Sequence, residues 1–312
     1  MTQQERVAFA LGLMKKWKFP AECVDLFKRV EKSYFLTDPY GSFFGNLSDD
    51  YMARKIPFKA LDAEIKRVAA ETGVHHYTLS EVFFLNCGAD LQKLYQKVGF
   101  TDDMFDGAML DFYCKLMECR EWHGVWGNET CYCTWPDQFF ELTRYPLGRF
   151  QYEKDSFRDA DCYRFGDVTL RRGDPVAKFH IPSCGPFPRE LRYESYRRAY
   201  DFFPELRQNG KLPIICHSWL LFPEHKVFLP ETSNIRDFCG DFQILECGFD
   251  SVPTVPERVF GSRCNAAFDN LPRDTGLRRA YADWLAAGGD TGYGYGILIF
   301  DGEKIVNNER GE

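Results

Sequence analysis

Several things are absent from this sequence, and each absence removes a class of function. Within its 312 residues there is no apolar run of about eighteen, so no helix is expected to span a membrane. The start, Met1-Thr2-Gln3-Gln4-Glu5, has neither a basic stretch nor an apolar one behind it. No signal peptide is therefore expected, and a cytoplasmic location is. Basic surplus is lacking as well: the formal net charge is -7, which argues against nucleic acid as a partner. No segment recurs at a fixed period, so the chain is not a solenoid. Three common catalytic patterns, G-x-S-x-G, H-E-x-x-H and the Walker A loop, do not occur. Paired cysteine spacing is also missing. Cys131-x-Cys133, with Cys114, Cys119 and His123 upstream, does not have the two-residue gap of a zinc knuckle, and no second pair follows. No metal is expected, and the twelve cysteines read as buried thiols, not disulfides.

What is present describes a folded, two-part chain. Hydrophobic residues make up 45% and charged residues 27%, a globular balance, and the length accommodates two domains. Aromatic residues, at 16%, point to a large core or an apolar cavity. Residues 1–145 read as an all-helical domain. Apolar residues recur at helical spacing through Val7–Met14, Val24–Val30, Leu61–Ala69, Thr78–Val98 and Met109–Cys119. Pro20 and Pro57 open helices, and Asp102 and Asp103 are candidate caps for the last. Thr37–Asp50, rich in Gly, Asp, Asn and Ser, reads as a loop. Residues 146–312 read as a mixed α/β domain, making the whole an α+β chain. Strands are expected at Leu147–Glu153, Thr169–Arg171, Val176–Ile181 and Ile214–Leu221, within Phe238–Phe249, and at Val255–Phe260 and Gly294–Phe300. Asp274 and Thr275 can cap a helix through Leu285, and Gly288–Gly294 reads as its C-cap and a flexible connection.

The informative unit is strand, helix, strand: Val176–Ile181, Pro188–Phe203, Ile214–Leu221. Its length fits a right-handed crossover that sets the two strands side by side and parallel. Ligands in such sheets bind beyond the carboxyl ends of the strands. There the sequence places His180 and His217, two of only six histidines, with Ser183, Cys184, Cys216 and Ser218. Strand alternation sets His217 on one face and Cys216 and Ser218 on the other. Hydrogen-bonded core histidines are the plain alternative. Ser183–Phe187 precedes a helix N-terminus, where backbone N–H groups suit a phosphate. Glu153 could act as an acid or base. Arg149 on the same strand could anchor an anion, although a solvated sheet face explains it more simply.

Five stretches, LGRFQYE (Leu147–Glu153), FHIPSCGPF (Phe179–Phe187), ICHSWLL (Ile215–Leu221), Ser233-Asn234-Ile235 and LPRDTGL (Leu271–Leu277), resemble a two-domain bacterial acyltransferase family. Its members carry a helical N-acyltransferase N-terminal domain and a GNAT-like C-terminal domain. The resemblance implies a sheet in which two parallel strands splay, with a thioester's pantetheine arm between them. Phe179 and Ile181 would wall that cleft, and Ser183, Cys184, Gly185 and Phe187 would form the pyrophosphate loop. The family's usual loop, [Q/R]-x-x-G-x-[G/A], is reduced here to Gly185, so an acyl-carrier protein stands beside acyl-CoA as donor. A small-molecule amine or hydroxyl would be the acceptor. His217 is the expected base, Glu153 and His180 its rivals, and Ser218 or Cys216 would protonate the leaving thiolate or orient the base. Two other functions are carried forward. One is a covalent acyl-enzyme on Cys216 or Ser218 with His180 as base. The other is a non-catalytic module that binds an acyl ligand.

Overall fold

The computed structural model describes residues 1–129, 134–158, 162–183, 185–250 and 254–308. Its contacts divide the chain into two units, Met1–Pro146 with Pro182–Cys184, and Leu147–Ile181 with Gly185–Glu312.

The first unit is helical. Helix α1 (Gln3–Lys16) starts in a capping box: Glu5 N donates to Thr2 Oγ1 at 3.2 Å, and Thr2 N donates to Glu5 Oε2 at 2.8 Å. Helix α2 (Ala21–Val30) follows Pro20 and runs into a π turn, Glu31–Phe35. Then come α3 (Tyr40–Met52), α4 (Phe58–Thr72), α5 (His76–Lys97), α6 (Asp102–His123) and the short α7 (Asp137–Phe140). Helix α5 is buried nearly all round, with Leu79, Val82, Phe83, Phe84 and Leu85 in the core. Buried Arg6 on α1 ties Asp49 of α3 (2.5 Å) to Asp90 of α5 (2.7 Å).

Three expectations change here. The loop read over Thr37–Asp50 is largely α3, because Phe44, Leu47 and Tyr51 recur at helical spacing and are buried. Tertiary packing overrides the weak propensities of Gly41, Gly45 and Asn46. The cap of α6 is Thr101, whose side chain accepts from Met104 N, while Asp102 and Asp103 occupy the first turn. Eight described cysteines are free thiols, but Cys114 is disulfide-bonded. Cys131 and Cys133 lie outside the described residues.

In the second unit the chain runs β1 (Tyr145–Leu147), which falls at the division, then β2 (Phe150–Ser156), a hairpin of β3 (Tyr163–Phe165) and β4 (Val168–Leu170), and β5 (Pro175–His180). After α8 (Arg189–Phe202) and β6 (Leu212–Ser218) come two short helices, α9 (His225–Phe228) and α10 (Asn234–Cys239). The order ends β7 (Gln243–Phe249), α11 (Thr254–Phe260), α12 (Gly276–Ala286), β8 (Gly292–Phe300). The sheet order is β1-β2-β5-β6-β8-β7. Strands β5 and β6 are parallel, whereas β2–β5, β6–β8 and β7–β8 are antiparallel. The expected crossover is therefore present, in a mixed sheet.

Alternation splits the sheet into two faces. Phe150 and Phe179 stack at 4.4 Å under α8 and α10, beside Tyr196 and Phe238. Ser195 of α8 clamps this side: its hydroxyl donates to Leu147 O at 2.6 Å and accepts from Phe150 N at 3.2 Å. The opposite face carries Val176, Ile215, Tyr295, Ile297 and Ile299, covered by Tyr163, Val168 and Leu170 of the hairpin.

Three more expectations are corrected. Val255–Phe260 is helix α11, not a strand: Val255, Val259 and Phe260 fall on one helical face in a cluster with Leu271 and Tyr281. Strand β8 starts at Gly292, two residues before the expected Gly294, so the connection is shorter than read. A Cβ on Gly294 would lie 2.3 Å from Leu221 O, and one on Gly292 2.3 Å from Gly248 O, so backbone packs where side chains would stand. Arg149 is not a strand residue facing with Gln151, because Gly148, at φ 76°, and Arg149 make the turn between β1 and β2.

Candidate active site

The β5–β6 ladder is short. Its register covers only Ala177–Ile214 and Lys178–Ile215. Each strand nonetheless continues on its outer side: β5 pairs with β2 through His180–Gln151, and β6 pairs with β8 through Ser218–Gly294. Beyond Lys178 and Ile215 the two strands face each other without a register. The seam between Phe179–His180 and Cys216–Ser218 is thus unpaired, at the carboxyl ends where the sequence placed the site.

On the hairpin side of that seam the side chains are polar. Lys178 Nζ lies 2.7 Å from Glu153 Oε1 and 3.0 Å from Asp155 Oδ2. His180 Nε2 lies 3.0 Å from the same Glu153 oxygen. Glu153 is thus shared between the Lys178 ammonium and the His180 imidazole at ion-pair distance. His217 sits across the seam at the same level, exposed, its ring 4.8 Å from that of Tyr293. No described residue hydrogen-bonds its ring. Partial burial lowers its pKa, the Arg158 charge lowers it further, and Glu246 opposes the shift. The neutral imidazole is favoured, with a lone pair available.

The other predicted residues divide by face. Cys216 points to the α8 side, is 1% exposed, and its thiol pKa is pushed far up by burial. Ser218 Oγ accepts from Leu220 N at 3.1 Å and caps the 3-10 turn Trp219–Leu221. Phe179 is buried and Ile181 partly so. Ser183 is exposed and groups with the first unit, and Cys184 lies outside the described residues.

Gly185–Pro188 leads into α8 and is braced by two arginines. Arg149 donates to Gly185 O at 2.7 Å and to Pro186 O at 3.2 Å. Arg192, fully buried, donates to Phe187 O at 3.2 Å and holds Asp241 through both carboxylate oxygens, at 2.7 and 3.2 Å, and Asp237 at 2.6 Å. Tyr196 donates to Asp241 at 3.0 Å. With these carbonyls tied down, α8 opens on Pro188 without a side-chain cap, leaving first-turn N–H groups for an anion. A cavity of about 360 Å³ opens beside Phe187, lined also by Leu229, Ser233, Asn234, Ile235 and Leu277. Sequence reasoning missed Arg192 and Asp241, whose partnership spans 49 positions with no local signal. It also read Arg149 as a strand residue, whereas its guanidinium donates to the carbonyls of the loop before α8.

Residues 144–298 match the model of the GNAT-like C-terminal domain. No curated protein matches the chain. Among solved structures, an acyltransferase in complex with decanoyl-CoA and teicoplanin is similar at TM-score 0.67 and 18% identity, over 93% of this chain and 87% of that one. An acyltransferase with CoA and 10C-teicoplanin gives 0.66 and 18%, over 92% and 86%. A decanoyl-CoA complex gives 0.67 and 21%, over 92% and 86%. At these identities the likeness is one of fold, and it extends over both units of the chain. From residue 144 to residue 298, behind its helical N-terminal part, this chain carries a GNAT-like C-terminal domain.

Proposed function

We propose that the chain transfers an acyl group from an acyl thioester to an amine or hydroxyl acceptor by direct attack in one ternary complex. The observation that carries this is the seam. Two parallel strands stop pairing while their outer ladders continue, so backbone groups of Phe179–His180 and Cys216–Ser218 face a slot that an extended pantetheine arm can fill as a strand would. The arm's phosphate end lies toward the braced loop and the open turn of α8. The similar structures hold decanoyl-CoA or CoA, which supports acyl-CoA as donor over an acyl-carrier protein.

The acceptor attacks the thioester carbon, its proton passes to His217 Nε2 or Nδ1, and the C–S bond breaks to release the thiolate. Neutral, accessible His217 fits the base, and His180, at ion-pair distance from Glu153, is its rival. Positioning the two substrates supplies most of the rate. The covalent route is less well supported: buried Cys216 is held as a thiol, and the Ser218 hydroxyl is engaged as a cap.

The test is thiol release from decanoyl-CoA with and without a primary amine, and intact-mass analysis of the protein. Acceptor-dependent release without a protein adduct is expected. A stable acyl adduct would favour the covalent route. Saturable decanoyl-CoA binding without turnover over a broad acceptor panel would leave the binding module.

A further inference from the structure

One side chain on β2, the strand that flanks β5 on its outer side, is in an unusual state. Gln151 of β2 is 2% exposed, and neither Nε2 nor Oε1 has a hydrogen-bond partner. Folded proteins seldom bury an amide with both ends unmet, and where they do, the group calls for an explanation. Its position supplies one. Gln151 stands opposite His180 in the β2–β5 register, beyond the last β5–β6 pair. By alternation it faces the same side as Glu153, and by register the same side as Lys178 and His180. His217 belongs to that face from across the seam. Further down, the face is filled by Val176, Ile215 and Ile297, which offer no polar partner. His180, 25% exposed at its side chain, marks where the face opens toward solvent.

A primary amide carries an acceptor and two donors side by side. Its natural complement is another amide, paired through two bonds. We infer that Gln151 is a specificity-determining residue of the acceptor site and selects amines that carry a peptide-like amide near the nucleophile. The inference rests on the proposed acyl transfer and deepens it by naming the acceptor class. A site built to hydrogen-bond its substrate discriminates strongly against analogues that cannot, because its own groups are then left unmet.

The probes are glycylglycinamide, which offers an amine and two amides, and n-butylamine, which offers only the amine. The variants are Gln151→Met, close in shape and without the amide, and Gln151→Asn, which keeps the amide but withdraws it. With decanoyl-CoA as donor, the wild type should prefer glycylglycinamide in kcat/KM at least tenfold. Gln151→Met should lose that preference through the KM of glycylglycinamide, with the KM of decanoyl-CoA within twofold of the wild type. Without ligand, Gln151→Met should melt at a higher temperature, since an unmet buried amide has been removed, and Gln151→Asn guards against a Met variant that fails to fold. Saturation-transfer NMR with glycylglycinamide reads binding without turnover: strong transfer from the wild type and weak transfer from both variants is expected. Equal transfer from all three, or a Gln151→Met protein that melts lower with kinetics unchanged, would overturn the assignment and make Gln151 structural. Absence of turnover or of decanoyl-CoA binding would instead count against acyl transfer, while the NMR comparison still decides Gln151.

Discussion

The two faces of β5 and β6 beyond their last pair differ completely. On the α8 side stand Phe179 and Cys216, 2% and 1% exposed, sealed among aromatic rings. On the hairpin side stand His180, partly exposed, and His217, exposed. One residue of offset separates a packing position from a chemical one, because strand side chains alternate. Sequence proximity in Cys216-His217-Ser218 suggests a catalytic cluster, and the pleat divides it into a core thiol, an exposed imidazole and a cap. The unit's two histidines outside β5 make the same point. His217 is exposed, and no described residue hydrogen-bonds its ring. His225 is buried, its Nδ1–H donating to Leu220 O at 3.3 Å and its Nε2 accepting from the Tyr281 hydroxyl.

Removing His217 should have the largest effect on chemistry and almost none on folding. His217→Ala is expected to lower kcat by about 10²–10⁴-fold, with the unfolding midpoint in urea unchanged. Unchanged turnover would move the base to His180. The sealed face should respond in the opposite sense. Arg192→Ala leaves Asp241 buried without its cation and should cost about 3–5 kcal/mol in urea unfolding. A loss near zero would mean the buried pair does not hold the loop at Phe187. Next comes pH. Burial lowers the His225 pKa from 6.5 to about 4, so the unfolded chain binds a proton that the folded chain refuses. Its contribution to stability is complete above pH 6.5 and is lost as pH falls toward 4, about 3 kcal/mol in all. His225→Gln should flatten that segment of a stability–pH curve, and an unaltered slope would contradict it.

The smallest effect sharpens the comparison most finely. A neutral His217 is required for proton abstraction, so the rate should rise with pH and level off below the ordinary 6.5. Arg158→Gln removes a charge that disfavours the imidazolium and should move this limb to higher pH. Glu246→Gln should move it lower. Shifts in the reverse directions would show that another group sets the limb.

Much of this was legible in the sequence where the signal is local. The β5–α8–β6 crossover follows from two apolar strands flanking an amphipathic helix, and Thr275 caps α12 as its position suggests, accepting from Arg278 N at 3.1 Å. Errors arose where a short stretch carries two codes. Val255–Phe260 is apolar enough for a strand, yet Pro256 in its first turn and the Val255–Val259 spacing were helix signals. Glycines in Thr37–Asp50 and Gly288–Gly294 looked like loop, whereas those at 292 and 294 permit close backbone packing. The candidate site was legible in its histidines, which the strand ends position. Gln151, Arg192 and Asp241 were not, because their significance lies in partners distant in the chain or in having none.

The central claim is that the unpaired seam receives the thioester. A crystal structure of the protein soaked with CoA tests it most directly. The account predicts the pantetheine arm between Phe179–Ile181 and Cys216–Ser218, hydrogen-bonded to both strands. An arm bound elsewhere, or β5 and β6 closed into a continuous ladder beside it, would contradict the account.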